Sequence, residues 1–318
     1  MSDRAFDHDT TTADVLVGVD LTGRTALVTG ASAGLGVETT RALASVGAHV
    51  VMAVRDVDKG GAAADAIRAD VPQASLEVVP LDLADLDSVR RCAAQVSAAH
   101  SSLQLLINNA GVMAPPLGRT AQGFELQLGT NHLGHFLLTG LLTPLLLAGA
   151  PARVVNLSSR GHLRSDIDWT DPHYRTRDYD KWAAYGQSKT ANVLFTVELE
   201  RRLGPRGVHA LSLHPGVIMT ELSRHLSDAD LTALASRVPA GGLTLKDVSA
   251  GAATTVWAAT SPDLEGRGGL YLEDCHIADV TPGDGSGGYA PYAVDPAAAE
   301  RLWAWSEAEV GPLAGPAA

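Results

Sequence analysis

From Arg24 onward the chain alternates short apolar runs with stretches whose apolar residues recur at helical spacing. Thr25–Thr29, His49–Val54, Leu76–Pro80, Leu103–Asn108, Arg153–Ser158, Val208–Leu213 and Gly269–Leu272 read as strands. Leu35–Val46, Lys59–Ala69, Leu86–Ala98, Gln122–Leu147, Trp182–Leu203 and Val248–Thr260 read as the helices between them, and Ala297–Val310 as a final one. The strands are nearly continuous apolar runs, which suits strands covered on both faces. Their alternation with helices predicts right-handed βαβ units around a parallel sheet. No repeat or Ser/Gly linker divides the 318 residues. The expectation is an α/β fold: one doubly wound domain over residues 21–318 with a mostly parallel seven-stranded sheet, preceded by a loosely structured arm, residues 1–20.

Two segments break the rhythm. Arg160 to Lys181 is polar and turn-rich, and Ile277 to Pro296 is rich in Gly and Pro and reads as the start of a surface tail, residues 277–318. The Leu-rich stretch Leu133–Ala150 contains His135, Thr139, Thr143 and Pro144 and is barely long enough to span a bilayer, so a buried helix is expected there. A formal net charge of −12 argues against nucleic acid or an anionic membrane as the main partner. Cys92 and Cys275 are too few for a disulfide framework, and the acidic N-terminus has no secretory core, so a cytoplasmic setting is expected. His132, His135, His162, His214 and His276 scatter without metal-ligand spacing, and no metal is expected.

The first strand leads into Thr29-Gly30-Ala31-Ser32-Ala33-Gly34-Leu35-Gly36 and then a helix. Glycines there let the backbone approach a pyrophosphate, and the helix start supplies free N–H groups and a positive dipole end. Further along stand Asp82-Leu83, Asn108-Asn109-Ala110-Gly111, Asn131, Ser159, Tyr185-x-x-x-Lys189 and Pro215-Gly216. In this order and over Gly23 to Leu272 the chain resembles the short-chain dehydrogenase/reductase family, a Rossmann-fold family. Tyr185–Phe195 is similar to the retinol dehydrogenase and WW-domain oxidoreductase branch.

The resemblance implies a dinucleotide held by Gly30, Ser32, Ala33, Gly34, Leu35 and Gly36. It places Asp82 at the adenine amine, Leu83 beside the ring, Asn109, Ala110 and Gly111 behind the ribose, and Thr220, after Pro215-Gly216, at the nicotinamide carboxamide. Val54 stands where an acidic residue would bond the ribose hydroxyls of NAD, and Arg55 follows, able to pair with a 2′-phosphate. NADP(H) is therefore expected over NAD(H).

Tyr185 and Lys189 are four apart and share a helix face. A nearby ammonium favours phenolate and is expected to lower the Tyr185 pKa, so that the hydroxyl exchanges a proton with a carbonyl/alcohol pair. By resemblance Lys189 also bonds the nicotinamide ribose, Ser159 (rather than its neighbour Ser158) polarises the substrate oxygen, and Asn131 holds a water that reaches Lys189.

The expected reaction interconverts a lipophilic ketone or aldehyde and its alcohol. The alternatives are reduction of a carbon–carbon double bond, as in protochlorophyllide reductases, and non-catalytic dinucleotide binding. Ala114–Thr120, Gly161–Trp182 and Val217–Thr244, within the substrate-side segments 160–182 and 217–245, are expected to wall the substrate. They and their flanks offer Met113, Leu117, Trp169, Tyr174, Trp182, Ile218, Met219 and Leu222, with Arg164, His173 and Arg224 as polar handles. Asp228–Arg237 is expected as a short lid helix. The apolar helices Phe136–Leu147 and Ala191–Leu203 suggest a homodimer or homotetramer.

Overall fold

The computed structural model describes residues 6–220, 222, 223, 226, 230, 245–283 and 287–311. Seven parallel strands form the sheet: β1 (Thr25–Thr29), β2 (His49–Val54), β3 (Ser75–Pro80), β4 (Leu105–Asn108), β5 (Ala152–Leu157), β6 (Val208–His214) and β7 (Leu270–Glu273). A two-residue β8 (His276–Ile277) joins β7 antiparallel, so the sheet has eight strands in the order β3-β2-β1-β4-β5-β6-β7-β8. The seven expected strands are all present. The added pair turns back through Asp274 and Cys275, both at positive φ, a geometry without a clear apolar signature.

Alternate residues of each strand feed two cores. On β1, Leu27 packs into one while Ala26 and Val28 pack into the other. One face carries α2 (Gly34–Ser45), α3 (Val57–Asp70) and α8 (Val248–Thr260), with Leu43, Ile67 and Trp257 buried. The other carries α4 (Leu86–Ala99), α6 (Gly134–Ala148), α7 (Lys181–Leu203) and α9 (Pro296–Val310), with Val89, Leu137, Phe195 and Trp303 buried. The strand order reverses between β1 and β4, and the carboxyl ends there open a crevice.

Four expectations change. The arm is docked rather than loose: α1 (Thr12–Val15) starts in a capping box at Thr11 and Asp14, and Val15, Leu16 and Leu21 join the α2/α8 core. The helix expected from Gln122 begins at α5 (Leu126–Leu128), because Gly123 at φ +83 and the Arg119–Glu125 bridge make a turn first. A π-turn at Gly129–Leu133 then links α5 to α6.

The C-terminal region is not a surface tail over its described length, since Ala278, Ala290 and Ala293 pack with Val193 of α7 and Tyr271 of β7. Finally, α9 lies against α7, and its Trp303 ring is 5.0 Å from that of Phe136 and 5.9 Å from that of Phe195. The apolar faces that suggested an oligomer are thus largely covered within the chain. Among the described residues no helix is long and apolar enough to cross a membrane.

Candidate active site

A cavity of about 1220 Å³ runs across the carboxyl ends of the strands, and every residue expected to hold the dinucleotide lines it. Gly30 and Gly34 adopt φ +68 and +54, where a side chain is strained, and a Cβ on Gly36 would strike the Gly30 carbonyl. The N-cap of α2 is Ala33, which has no side-chain cap, so the first-turn amides of Gly34, Leu35 and Gly36 border the cavity without a side-chain acceptor. Such a cradle fits a pyrophosphate.

Further along, Asp82 Oδ1 accepts from the Ala84 amide at 2.9 Å, and Leu83 is buried against Gly134. Gly216, at φ +97, turns the chain after β6, and Thr220 packs on Gly34.

Arg55 is exposed at the end of β2, on the cavity rim, with no ion-pair partner among the described residues. Asp56 does not neutralise it. Its carboxylate caps α3, accepting from the Lys59 amide at 3.0 Å. Lys59 reaches the same rim, a second cation that sequence reading missed because it sits inside a helix.

One hydrogen-bond chain ties the glycine turn to the catalytic side. Thr29 Oγ1 accepts from the Asn109 and Ala110 amides (2.9 and 3.0 Å) and meets His135 Nε2 at 2.9 Å. His135 donates from Nδ1 to the Asn131 carbonyl at 3.0 Å. The Asn131 side chain accepts from the Val112 amide (2.8 Å) and donates to the Val112 carbonyl (3.0 Å) and Ser188 Oγ (2.9 Å). Asn131 therefore clamps the loop after Gly111 through its side chain. It lies on the π-turn, not on the regular mid-helix expected. The parts played by Thr29, at the end of β1, and by His135 and Ser188, on helices, were not read from the sequence, since a single buried polar residue leaves no pattern.

α7 begins under an Asp180 cap, and within its first turns Tyr185 and Lys189 fall on one face, both almost fully buried. The serine pair resolves cleanly. Ser158 donates to the Lys189 carbonyl at 2.9 Å, while the Ser159 hydroxyl accepts from the Gly161 amide at 3.0 Å and faces the cavity that Tyr185 also lines. Gly161 is a further positioning residue: a Cβ there would come within 2.7 Å of the Tyr185 ring.

Burial pushes the Tyr185 hydroxyl up to about 12, with Ser159 pulling the other way. Burial also pulls the Lys189 ammonium down to about 8. The expected lowering of Tyr185 by Lys189 is absent in the protein alone. Nζ lies 5.7 Å from the ring centroid and donates to the Leu157 carbonyl at 3.0 Å, so desolvation outweighs the charge.

On the substrate side, Met113, Trp182, Ile218, Met219, Leu222 and Arg164 reach the cavity, and Arg164 lies 5.1 Å from the Trp182 ring centroid. Leu117, Trp169, Tyr174 and His173 do not line it. Trp169 packs outward under Arg301, Tyr174 stacks with Arg177, and His173 accepts from the buried Glu125 amide at 3.2 Å. These contacts bolt the 160–182 segment to the outside of the domain. Arg224 and most of Asp228–Arg237 lie outside the described residues. Within that stretch Asp230 pairs with Lys181 at 2.6 Å.

The glycine turn, Ser159, Tyr185 and Lys189 line one cavity, an arrangement that fits a dinucleotide-dependent oxidoreductase. The short chain dehydrogenase family model matches residues 24–231. Human retinol dehydrogenase 12 is 45% identical over 285 residues, covering 90% of this chain and 85% of that protein. The crystal structure of an uncharacterized protein from Mycobacterium paratuberculosis has a TM-score of 0.74 and 39% identity, covering 96% of this chain and 98% of that one. The Pseudomonas aeruginosa RhlG/NADP active-site complex has a TM-score of 0.63 and 26% identity, covering 80% and 95%. The chain belongs to the short-chain dehydrogenase/reductase family, in its retinol dehydrogenase branch. It is an NAD(P)-dependent oxidoreductase acting on an alcohol/carbonyl pair.

Proposed function

We propose that the protein is an NADP(H)-dependent reductase or dehydrogenase that interconverts a lipophilic ketone or aldehyde and its alcohol, with Tyr185 as the general acid/base. The observation that carries this reading is the placing of Ser159, Tyr185 and Lys189 on the wall of one cavity that also holds the glycine turn and Arg55. When bound, NADPH supplies the hydride.

The chain's own residues do the rest. Ser159 donates a hydrogen bond to the carbonyl oxygen, and Tyr185, neutral at physiological pH, gives that oxygen its proton as charge develops there. The buried Lys189 ammonium stabilises the phenolate left behind and would hold the nicotinamide ribose of a bound cofactor. Asn131 acts through position, keeping the Val112 loop and Ser188 in register with Lys189. Oxidation runs the same transfers backwards. Apolar lining by Met113, Trp182, Ile218 and Leu222 supports a lipophilic substrate, as does the similarity to retinol dehydrogenase 12. Two free, buried cysteines are consistent with a cytoplasmic setting.

A panel of ketones and aldehydes assayed with NADPH and with NADH tests the reaction and the cofactor together. Alcohol products support the reading, whereas saturation of a carbon–carbon bond or no cofactor oxidation overturns it.

Arg55→Asp is expected to raise the KM for NADPH by about 10–100-fold, the loss of a charge-assisted phosphate contact, while the KM for NADH changes little. Equal use of both cofactors by the wild-type protein would remove the basis for the NADP preference.

A further inference from the structure

We propose that His49, Glu77 and His100 form a binding site for a zinc-class divalent cation, at the end of the sheet opposite the active site. His49 opens β2, and Glu77 lies on the neighbouring edge strand β3. The register pairs His49 with Ser75 and Val51 with Glu77, so His49 and Glu77 project from the same face two positions apart. His100, the C-cap of α4, closes over them from the adjoining helix.

One donor atom from each of the three residues falls within 4.8 Å of the other two. Glu77 Oε2 is 3.0 Å from His100 Nε2 and 3.7 Å from His49 Nε2. Those separations bracket the edge of about 3.3 Å of a tetrahedron with metal–ligand bonds of about 2.05 Å. The imidazole rings lie 5.3 Å apart, centroid to centroid, and are tilted by 38°.

Two features favour a cation over a plain ion-pair cluster. His49 Nδ1 bonds Ser75 Oγ at 2.7 Å, which leaves Nε2 turned to the shared centre, as an outer partner orients a ligating histidine. The side chains are 14–31% exposed, enough for a cation and one or two waters to reach donors that are already converged. Two imidazoles and one carboxylate suit zinc and its neighbours, and disfavour magnesium or calcium, which need oxygen donors. A bound cation would tie the edge strand β3 to β2 and to the end of α4, a linkage separate from the chemistry at the carboxyl ends. Sequence reading passed over this trio because the three residues are 28 and 23 positions apart and never adjacent.

The test uses the tag-free full chain, stripped with chelator and titrated calorimetrically with Zn²⁺ alone, with Mg²⁺ as the comparison. One equivalent of Zn²⁺ is expected, with a raised thermal midpoint and no response to Mg²⁺. His49→Gln, His100→Gln and Glu77→Gln should each weaken Zn²⁺ binding by about ten-fold or more, with NADPH-dependent turnover at the wild-type level as evidence of an intact fold. Should a variant fail to fold, the Co²⁺ absorption of the wild-type protein decides: intense tetrahedral bands support the site. The absence of stoichiometric Zn²⁺ uptake, uptake unchanged in all three variants, or weak octahedral Co²⁺ bands would each overturn it.

Discussion

Tyr185→Phe is expected to lower carbonyl reduction by about 10²–10⁴-fold, the usual contribution of a positioned proton donor, while NADPH binding stays close to the wild-type value. The substitution removes one oxygen and leaves the ring packed on Gly161, so the cavity keeps its shape. Hydride transfer then has to place charge on a carbonyl oxygen with Ser159 as its only nearby donor from this pair. Burial matters to the direction of the effect. With the hydroxyl held near 12, Tyr185 carries its proton throughout the neutral range, which suits it to donate in reduction. In oxidation the phenolate must form, and Lys189 has to be charged to support it. Its ammonium is itself pulled down to about 8. Steady-state rates with NADPH and a responsive ketone, set beside the change in NADPH fluorescence on binding, separate the chemical loss from a binding loss. An undiminished rate would take the proton-transfer role away from Tyr185.

The residues proposed for this site could be picked out because they occur in an order the fold requires. The glycine turn had to follow β1, and the Tyr185/Lys189 pair had to lie on a helix. Ser159 had to follow closely on the preceding strand, and each is found there. Periodicity also located all seven parallel strands, because strands buried on both faces leave unbroken apolar runs.

What could not be read depends on contacts between residues far apart in the chain. The Thr29–His135–Asn131 relay joins positions about a hundred residues apart, and each member alone looks like an isolated polar residue. The 160–182 segment was expected to line the substrate, but Arg119 bonds the carbonyls of His173 and Tyr174 and holds the segment's middle outward. Only its two ends, near Arg164 and at Trp182, reach the cavity. Similarly, no local pattern in α6 or α7 announces that α9 will cover them. An uncovered apolar helix and one covered by a later segment have the same sequence signature.

Acid should unfold this protein unusually early, and the buried histidines are the reason. His132, His135 and His214 are enclosed, and burial holds them at about 3, about 4 and about 3. Burial also lowers His162 and His173. In the unfolded chain each imidazole takes up a proton near 6.5. Between that value and about 4 the unfolded state therefore binds more protons than the folded one, and stability falls as pH falls.

Each such group contributes about 1.4 kcal/mol per pH unit, so the first three alone give a slope of about 4 kcal/mol per pH unit. Glu125, raised by burial, opposes this at the acid end, and depressed carboxylates such as Asp274 add to it only below their ordinary range near 3.8. The window from 6.5 to about 4 thus belongs to the histidines. Across that window the loss comes to about 10 kcal/mol, which would exhaust all but the upper part of the typical range of about 5–15 kcal/mol.

Urea unfolding at half-unit steps from pH 7 to 4.5 measures the slope. His132→Phe, placed among Phe136, Phe195 and Trp303, removes one titrating group and should flatten the slope by about 1.4 kcal/mol per pH unit. A stability that stays level across that range would show that these imidazoles take up protons in the folded state as readily as in the unfolded one. Protonation would cost His135 the Nε2 acceptor site that faces Thr29, so the acid that unfolds the chain would also part the glycine turn from Asn131.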